Sequence, residues 1–359
     1  MKLLLAGGGT AGHVEPALAV ARAWKLVHPE SEIIFLGTAN GLENSLVPAA
    51  GFTLAHIPKV SIARSLSPSL LLVPFRLAQS IAATLKLLRN VDCAIGFGGY
   101  VSGPLYLAAA LKRIPFVIHE QNARPGWANR LGARLTPFTA ISYPVAVGAL
   151  SKAELTGLPL RADVVSALDS AAGDGVQARA LAKREVARKH GLDANLPLVF
   201  IFGGSQGSQA INKVISDFRK NVMGISILHG VGRKNGIAES TSSYKALDYI
   251  DDMANCYLAA DLLIARSGAV TCAEATALAK FSLFIPLPIG NGEQELNAQS
   301  LVSDGRAEVL PQSEFTAQWL GANLDRLLKK SSQQSSEVKV EGRAAVDKIV
   351  KIIERAAGV

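Results

Sequence analysis

The chain has 359 residues, 49% hydrophobic and 18% charged, which excludes disorder as the dominant state and supplies two apolar cores at roughly 150 residues per domain. Lysine and arginine outnumber aspartate and glutamate by 37 to 29, a net charge of +8 that suits an anionic partner: a phosphate ligand, a lipid surface or a nucleic acid. Three separated cysteines, Cys93, Cys256 and Cys272, offer neither a disulfide framework nor a zinc site.

The opening Met1-Lys2-Leu3-Leu4-Leu5-Ala6 is too short an apolar run for an export signal, so a cytoplasmic protein is expected. It reads instead as a first strand, running into Gly7-Gly8-Gly9-Thr10-Ala11-Gly12-His13 and then a helix. Further apolar runs follow at Ile33 to Leu36, Cys93 to Ile95 and Phe116 to Ile118. The stretch from Leu66 to Leu88 is apolar but broken by Pro68, Pro74, Arg76 and Lys86, so no membrane span is expected. A turn signal at Thr156-Gly157-Leu158-Pro159 marks a joint, and Asp169 to Gly175 reads as a small, polar, mobile segment. The second half repeats the plan with Leu198 to Phe202, Ile225 to Leu228, Leu262 to Ala265 and Ser282 to Ile285. After a Lys/Ser/Gln stretch from Lys329 to Ser336, Val346, Ile349, Val350 and Ile353 share one face of a last helix, which can dock back on the first domain. Short apolar runs alternating with helices predict an α/β chain with two parallel sheets in tandem.

Glycine loops after strands bring backbone amides and a helix N-terminus to an anionic or hydroxyl-rich ligand. Three occur here: Gly7 to Gly12, Gly96-Phe97-Gly98-Gly99-Tyr100-Val101-Ser102-Gly103, and Gly203-Gly204-Ser205-Gln206-Gly207. All sit at the carboxyl ends of predicted strands, where α/β proteins bind ligands, and they point to one ligand cleft between the domains. Gly7, Gly9 and Gly12 spell the dinucleotide fingerprint, but the second strand ends Leu36-Gly37-Thr38 with no acid to hold a ribose. An NAD(P)- or FAD-dependent oxidoreductase is therefore the alternative reading. No Gly-Lys-Ser/Thr follows any loop, which excludes a Walker ATPase. The six histidines lack metal-ligand spacing, and adjacent Asp251-Asp252 read as a polar loop, so no metal is expected. With 6% aromatic residues and no interleaving of aromatic with basic side chains, no nucleic acid is expected.

Taken jointly, the glycine loops, His119-Glu120-Gln121-Asn122, Thr156 to Arg161, Tyr249-Ile250-Asp251-Asp252-Met253, Arg266-Ser267-Gly268-Ala269 and Gln294 to Asn297 resemble the MurG family of bacterial peptidoglycan N-acetylglucosaminyltransferases. The resemblance implies the glycosyltransferase B fold: an acceptor and membrane-associating domain over residues 1–158 with helix 340–359 packed back on it, and a nucleotide-sugar domain over 159–339. It implies inverting transfer of N-acetylglucosamine from UDP-N-acetylglucosamine to the C4 hydroxyl of the muramyl sugar of lipid I, forming lipid II, with no cofactor and no metal.

The resemblance also distributes roles. An inverting transfer needs a base for the acceptor hydroxyl and stabilisation of the departing UDP. His13, at a helix start whose dipole disfavours imidazolium, is the first base candidate, with helix capping or phosphate binding as its other reading. His119 is its rival, and Glu120 stands beside it at the same strand end. Gly99, Tyr100, Ser102 and Asn122 match the acceptor side. Thr10, Gly12, Asn122, Arg161, Ser205, Gln206, Ile250, Ala269, Thr271, Glu274, Gln294 and Asn297 match the donor side. There Glu274 would take the ribose diol, with a solvent-facing helical glutamate as its bland alternative; Ile250 would read uracil, and Gln294 and Asn297 would bind the sugar. Glu293, where relatives carry an amide or histidine, departs from the pattern. Leu70, Leu71, Leu72, Val73 and Phe75, among Arg64, Arg76, Lys86 and Arg89, would suit an anionic inner-leaflet surface at the cytoplasmic face of the membrane, or core packing. Other cell-wall synthesis proteins are further partner candidates.

Overall fold

The computed structural model describes residues 1–60, 72–220, 223–289, 291–334 and 344–359. The chain forms two compact units, Met1–Arg161 with Gly342–Val359, and Ala162–Glu341.

The first unit is built on a parallel sheet in the order β3-β2-β1-β4-β5-β6-β7, seven strands among the described residues. Its centre is β1 (Lys2–Ala6), β2 (Glu32–Gly37), β4 (Cys93–Gly96) and β5 (Phe116–Glu120). Leu3 pairs with Ile33 on one side and Cys93 on the other. These strands are apolar because helices cover both faces. The outer strands, β3 (Thr53–His56), β6 (Thr139–Ile141) and β7 (Glu154–Leu155), are short or mixed in polarity, and their runs carry no comparable sequence signal.

Helix α1 (Ala11–Val27) buries Val14, Ala17, Leu18, Ala21 and Trp24 on one face of the sheet. The same core takes α13 (Ala344–Ala357), whose Ile349, Val350, Ile352 and Ile353 are buried and whose Val346 packs alongside. Burying four such side chains contributes roughly 1.5–3 kcal/mol each, which is why the last helix belongs to the first unit. His28 with Glu354, and Arg355 with Glu154, tie its polar edge. The opposite face carries α3 (Val73–Leu87) and α4 (Ser102–Lys112), with Leu105, Tyr106 and Leu88 in its core.

The second unit repeats the design with order β10-β9-β8-β11-β12-β13, all parallel. Here β8 (Leu198–Phe202), β9 (Ser226–Gly230), β11 (Leu262–Ala265) and β12 (Ser282–Phe284) form the apolar centre, and β10 (Tyr244–Leu247) and β13 (Ala307–Val309) the edges. Val199 pairs with Ile227 and with Leu262. The segment Asp169 to Gly175, expected to be mobile, is instead the end of α6 (Ala162–Gly173) and the start of α7 (Gly175–His190). Asp174 caps α7 by accepting from the amides of Val176 and Gln177, which makes a helix start of what composition suggested was a linker. Lys329 to Ser332 likewise finish α12 (Ala317–Ser332), and residues 335–343 lie outside the described set.

Candidate functional site

In an open parallel sheet, adjacent strands whose connections run in opposite directions leave a crevice at their carboxyl ends. In the first unit that place lies between β1 and β4, and the first two glycine loops leave those strands. The loops touch through backbone. A Cβ on Gly99, whose φ is +82°, would stand 2.5 Å from the Gly8 carbonyl oxygen, so only glycine fits there. Gly98 lies against the His13 ring, and Gly9 against the ring of Tyr100. Tyr100 is exposed, with the Lys59 ammonium 4.5 Å above its ring. Ser102 donates to the Gly98 carbonyl at 2.7 Å and so holds the second loop.

His13 is half-buried, its Nδ1 lying 3.1 Å from Thr10 Oγ1. Burial pulls its pKa down to about 4, against the opposing pulls of the Glu43 charge and the Gly8 carbonyl. The ring is therefore neutral at pH 7 and able to accept a proton. His119 has the same protonation state for a different reason. It is 0% exposed, its Nε2–H donates to the Gly157 carbonyl at 3.0 Å, and burial pulls it to about 4. Its Nδ1 has no hydrogen-bond partner. Glu120, also buried, accepts from the amides of Asn122 and Gly126, at 2.9 Å each, and from the side chains of Asn122 and Asn129. Burial pushes its carboxyl up while those four donors offset part of the rise. Of the two histidines His13 is the accessible one. His119 and Glu120 brace the strand end and the loop that carries Asn122.

Sequence reasoning missed Glu43, the first residue of α2 (Glu43–Ala49). Its carboxylate, 0% exposed, accepts from the Gly9 amide at 2.8 Å, the Thr38 amide at 2.9 Å and the Thr38 hydroxyl at 3.2 Å. An acid therefore does stand at the end of β2, delivered by the next helix. It is sealed in protein and occupied by the loop, so it has no reach to a ribose. The missing signal was Gly37 and Gly41: a Cβ at either would collide with the Glu43 side chain.

The second unit places the third glycine loop and Arg266-Ser267-Gly268 after β8 and β11, again the neighbours at its switch point. Ser208 caps α8 (Gln209–Phe218) at the end of the glycine loop. Gly207, with φ +73°, packs on the Val231 carbonyl after β9, and Ile250 packs on Gly230. Arg266, buried, is the hub: it donates to the carbonyls of Ile285 and Pro286, each at 2.9 Å, to Ser208 Oγ at 2.8 Å and to Gln312. Asn297, on α11 (Glu293–Ser303), donates to the Ser267 carbonyl, and Gln294 accepts from the Leu287 amide. Glu293 accepts from the Asn291 amide, a local turn contact. Ala269 and Thr271 open α10 (Ala269–Ala277), and Glu274 on the same helix is 2% exposed, so it is not a solvent-facing glutamate. Ser205, Gln206, Ile250, Ala269, Thr271, Glu274, Gln294 and Asn297 thus gather at one edge of one sheet. Thr10, Gly12 and Asn122 belong to the first unit, and Arg161 is its last residue before α6. Asp252 caps α9 (Met253–Ala259).

The second unit also has a cavity of about 680 Å³, lined by Arg179, Lys183, Asp261, Lys280 and Lys329, at the amino ends of its strands, away from the loops above. Three of its cations are already engaged. Lys280 donates to the carbonyls of Leu258 and Ala260 at the end of α9, Arg179 to Leu278 at the end of α10, and Lys183 to Asp261. Among the described residues no cluster of three metal-ligating side chains occurs, and no helix is long and apolar enough to cross a membrane. Leu72 and Phe75, at the start of α3, are exposed, as are Lys86 and Arg89; Arg64, Leu70 and Leu71 lie outside the described residues.

Residues 3–139 match the glycosyltransferase family 28 N-terminal domain and residues 198–353 the family 28 C-terminal domain. The chain is 46% identical to the UDP-N-acetylglucosamine--N-acetylmuramyl-(pentapeptide) pyrophosphoryl-undecaprenol N-acetylglucosamine transferase of Thermobifida fusca (strain YX), over 91% of this chain and 86% of that one. It is 42% identical to the enzyme of the same name from Corynebacterium glutamicum (strain R), over 93% and 92%. The crystal structure of Acinetobacter baumannii MurG superposes with a TM-score of 0.68 at 26% identity, covering 99% of both chains. The glycotransferase of kitacinnamycin, at 14% identity and a TM-score of 0.63 over 99% and 98%, shares the fold. The expected α/β class with two parallel sheets of the glycosyltransferase B type holds, and the oxidoreductase alternative is not favoured. The chain belongs to glycosyltransferase family 28, in the MurG family of N-acetylglucosamine transferases.

Proposed function

We propose that the chain transfers N-acetylglucosamine from UDP-N-acetylglucosamine to the C4 hydroxyl of the muramyl sugar of lipid I, with inversion, releasing UDP and forming lipid II. The acceptor oxygen supplies the electron pair of the new bond to the sugar C1. The bond from C1 to the β-phosphate oxygen breaks, and its pair leaves with UDP. The acceptor proton passes to His13, and the observation that carries the reading on this side is the placement of its partly exposed ring at the switch point of the first sheet, against Gly98 of the second glycine loop; burial favours the neutral ring.

On the donor side the carrying observation is the buried, acid-free Arg266 beneath the third glycine loop. It adds a fixed positive charge to the amides of Gly204 to Gly207 and the N-terminus of α8, where a diphosphate would sit. Ser205 and Gln206 border that place, and Arg161 adds a cation. Thr10, Gly12 and Asn122 complete the donor set from the first unit. Ile250 presents its backbone to uracil, Ala269 and Thr271 bound the nucleotide, Glu274 accepts from the ribose hydroxyls, and Gln294 with Asn297 holds the sugar. Gly99, Tyr100, Ser102 and Asn122 form the acceptor side, supported by His119 and Glu120. Lipid I is held in the membrane by its polyprenyl chain, so the enzyme would work as a peripheral protein at the cytoplasmic face. Exposed Leu72 and Phe75 at the start of α3, with exposed Lys86 and Arg89 at its far end, support contact with an anionic surface. Other cell-wall synthesis proteins would meet it there.

The test is transfer of radiolabelled sugar from UDP-N-acetylglucosamine to a short-chain lipid I analogue. Transfer is expected, with UDP-glucose a poor donor, and Glu274→Ala should weaken UDP binding at least tenfold. Absence of transfer, or binding of NAD in place of UDP, refutes the reading.

A further inference from the structure

A carboxylate sealed from water is costly unless donors surround it, and a protein that keeps one has placed its charge and its hydrogen bonds where they act. Glu43 is such a group. Its two oxygens join points that are far apart in sequence: Gly9 in the loop after β1, and Thr38 after β2. The pocket that receives it is built for it. Gly8, Gly37 and Gly41 surround the side chain, and a Cβ at Gly41 or Gly37 would overlap it outright. Asn44 locks the same turn by donating to the carbonyls of Thr38 at 2.7 Å and Gly41 at 3.0 Å, and His56 holds the Asn44 oxygen at 2.7 Å. The loop pinned in this way carries Thr10 and, one residue into the next turn past Gly12, His13.

We propose that Glu43 is a positioning residue of the transfer reaction, its buried carboxylate clamping the first glycine loop, which leads into His13, through the Gly9 amide and holding a negative charge behind that loop. The inference rests on His13 acting as the base. Among the described residues, the groups around the ring are backbone, amide and hydroxyl in kind. Gly98 approaches from the loop after β4 with backbone, Asn129, on α5 (Trp127–Gly132), stands beside Gly98 with an amide, and Thr10 offers a hydroxyl. Of the charged groups on the neighbouring elements, Glu120 is bound behind Asn129, Lys59 sits over Tyr100, and Glu15 is on α1 itself. Among the described residues, Glu43 is the charged group whose field bears on the imidazole, where it favours the charged ring and offsets part of the effect of burial. A developing imidazolium is what the transition state creates, so this charge stabilises the proton as it arrives.

The experiment compares Glu43→Gln and Glu43→Asp with the parent protein by steady-state transfer from pH 3 to 9, which brackets the His13 transition near pH 4, and by NMR titration of the His13 ring over the same range. The ring signal is assigned by its loss in His13→Ala. Glu43→Gln should lower kcat at least tenfold with KM for UDP-N-acetylglucosamine within threefold. It should also move the acid limb of kcat down by half a pH unit or more, and the ring should begin to protonate at lower pH. Glu43→Asp keeps the charge but shortens the clamp, so kcat should fall while the acid limb stays. If Glu43→Gln does not fold, the Asp variant carries the test alone, and an unchanged kcat there refutes the clamp. An unshifted limb and ring titration in a folded Glu43→Gln refute the electrostatic role. If the parent protein transfers nothing, the proposed function falls, while the ring titration still decides the effect of Glu43.

Discussion

Buried neutral histidines make this protein acid-sensitive in a calculable way. His119 in the first unit and His229 in the second are 0% and 1% exposed, and burial holds each near a pKa of about 4, against about 6.5 in the unfolded chain. The folded-state value is the lower one, so below pH 6.5 the unfolded chain binds protons that the folded chain refuses. The stability each ring supports is intact above pH 6.5 and drains away as pH falls toward 4. Between pH 7 and pH 5 the linkage amounts to about 2 kcal/mol per histidine, a large share of a typical domain's margin. His13 adds to the loss in the first unit and His190 in the second, while Glu120, raised by burial, works in the opposite direction. The assay is a urea titration at pH 7 and pH 5, followed by hydrogen exchange of peptides over β5 and β9 so that each unit is read separately, with intrinsic exchange corrected at each pH. His119→Gln keeps a donor for the Gly157 carbonyl and removes the titration. It should flatten the pH dependence of the first unit by about 2 kcal/mol and leave the second unchanged. If the β5 peptides respond to pH in His119→Gln as they do in the parent chain, the reasoning is wrong.

Gly99→Ala puts a methyl group 2.5 Å from the Gly8 carbonyl at φ +82°, whereas Gly148→Ala, at φ +95°, meets nothing within 4 Å. The second should cost about 1 kcal/mol of backbone strain in chemical denaturation and the first at least 1 kcal/mol more, with loss of transfer; equal costs would show that the two glycine loops are not in contact. Lys280, buried and lowered to about 7, is charged at a cost below that pH and neutral above it. The second unit should therefore gain about 2 kcal/mol between pH 7 and 9, a gain absent in Lys280→Met when peptides over α9 are followed by exchange.

What could be read in advance was whatever the physics writes locally. Leu3 to Ala6 and Leu198 to Phe202 declare themselves because a strand buried on both faces must be apolar at every position. Thr53 to His56 and Tyr244 to Leu247 do not, since edge strands carry polar side chains and look like loops. The face of α13 was legible from its spacing, and the helical nature of Asp169 to Gly175 was not, although Asp174 is a capping residue; small residues composed a linker only as long as the cap was ignored. The glycine loops were legible as anion sites. Glu43 and Arg266 in their working roles were not, because Gly9 lies 34 residues from Glu43 and Ser208 lies 58 residues from Arg266, and only the folded chain brings them together.

Those two residues explain why two similar sheets need not do the same work. Each glycine loop leaves its strand toward a helix N-terminus, which alone would make both equally attractive to a diphosphate. Beneath the first loop lies the Glu43 carboxylate, with no buried cation beside it among the described residues, and beneath the third lies the Arg266 guanidinium with no acid among its partners. A unit charge about 7 Å from a bound phosphate, at an effective dielectric near 20, would be worth about 2 kcal/mol, and its sign would reverse between the two units. The backbone geometry supplies a general anion cradle twice, and one buried side chain in each decides its use. On the proposed function, the loop over Arg266 would favour the leaving diphosphate, and the loop over Glu43 would disfavour an anion and favour the positive charge that a proton brings to His13. That division matches an inverting transfer, in which negative charge develops on one side of the reacting sugar and a proton is collected on the other.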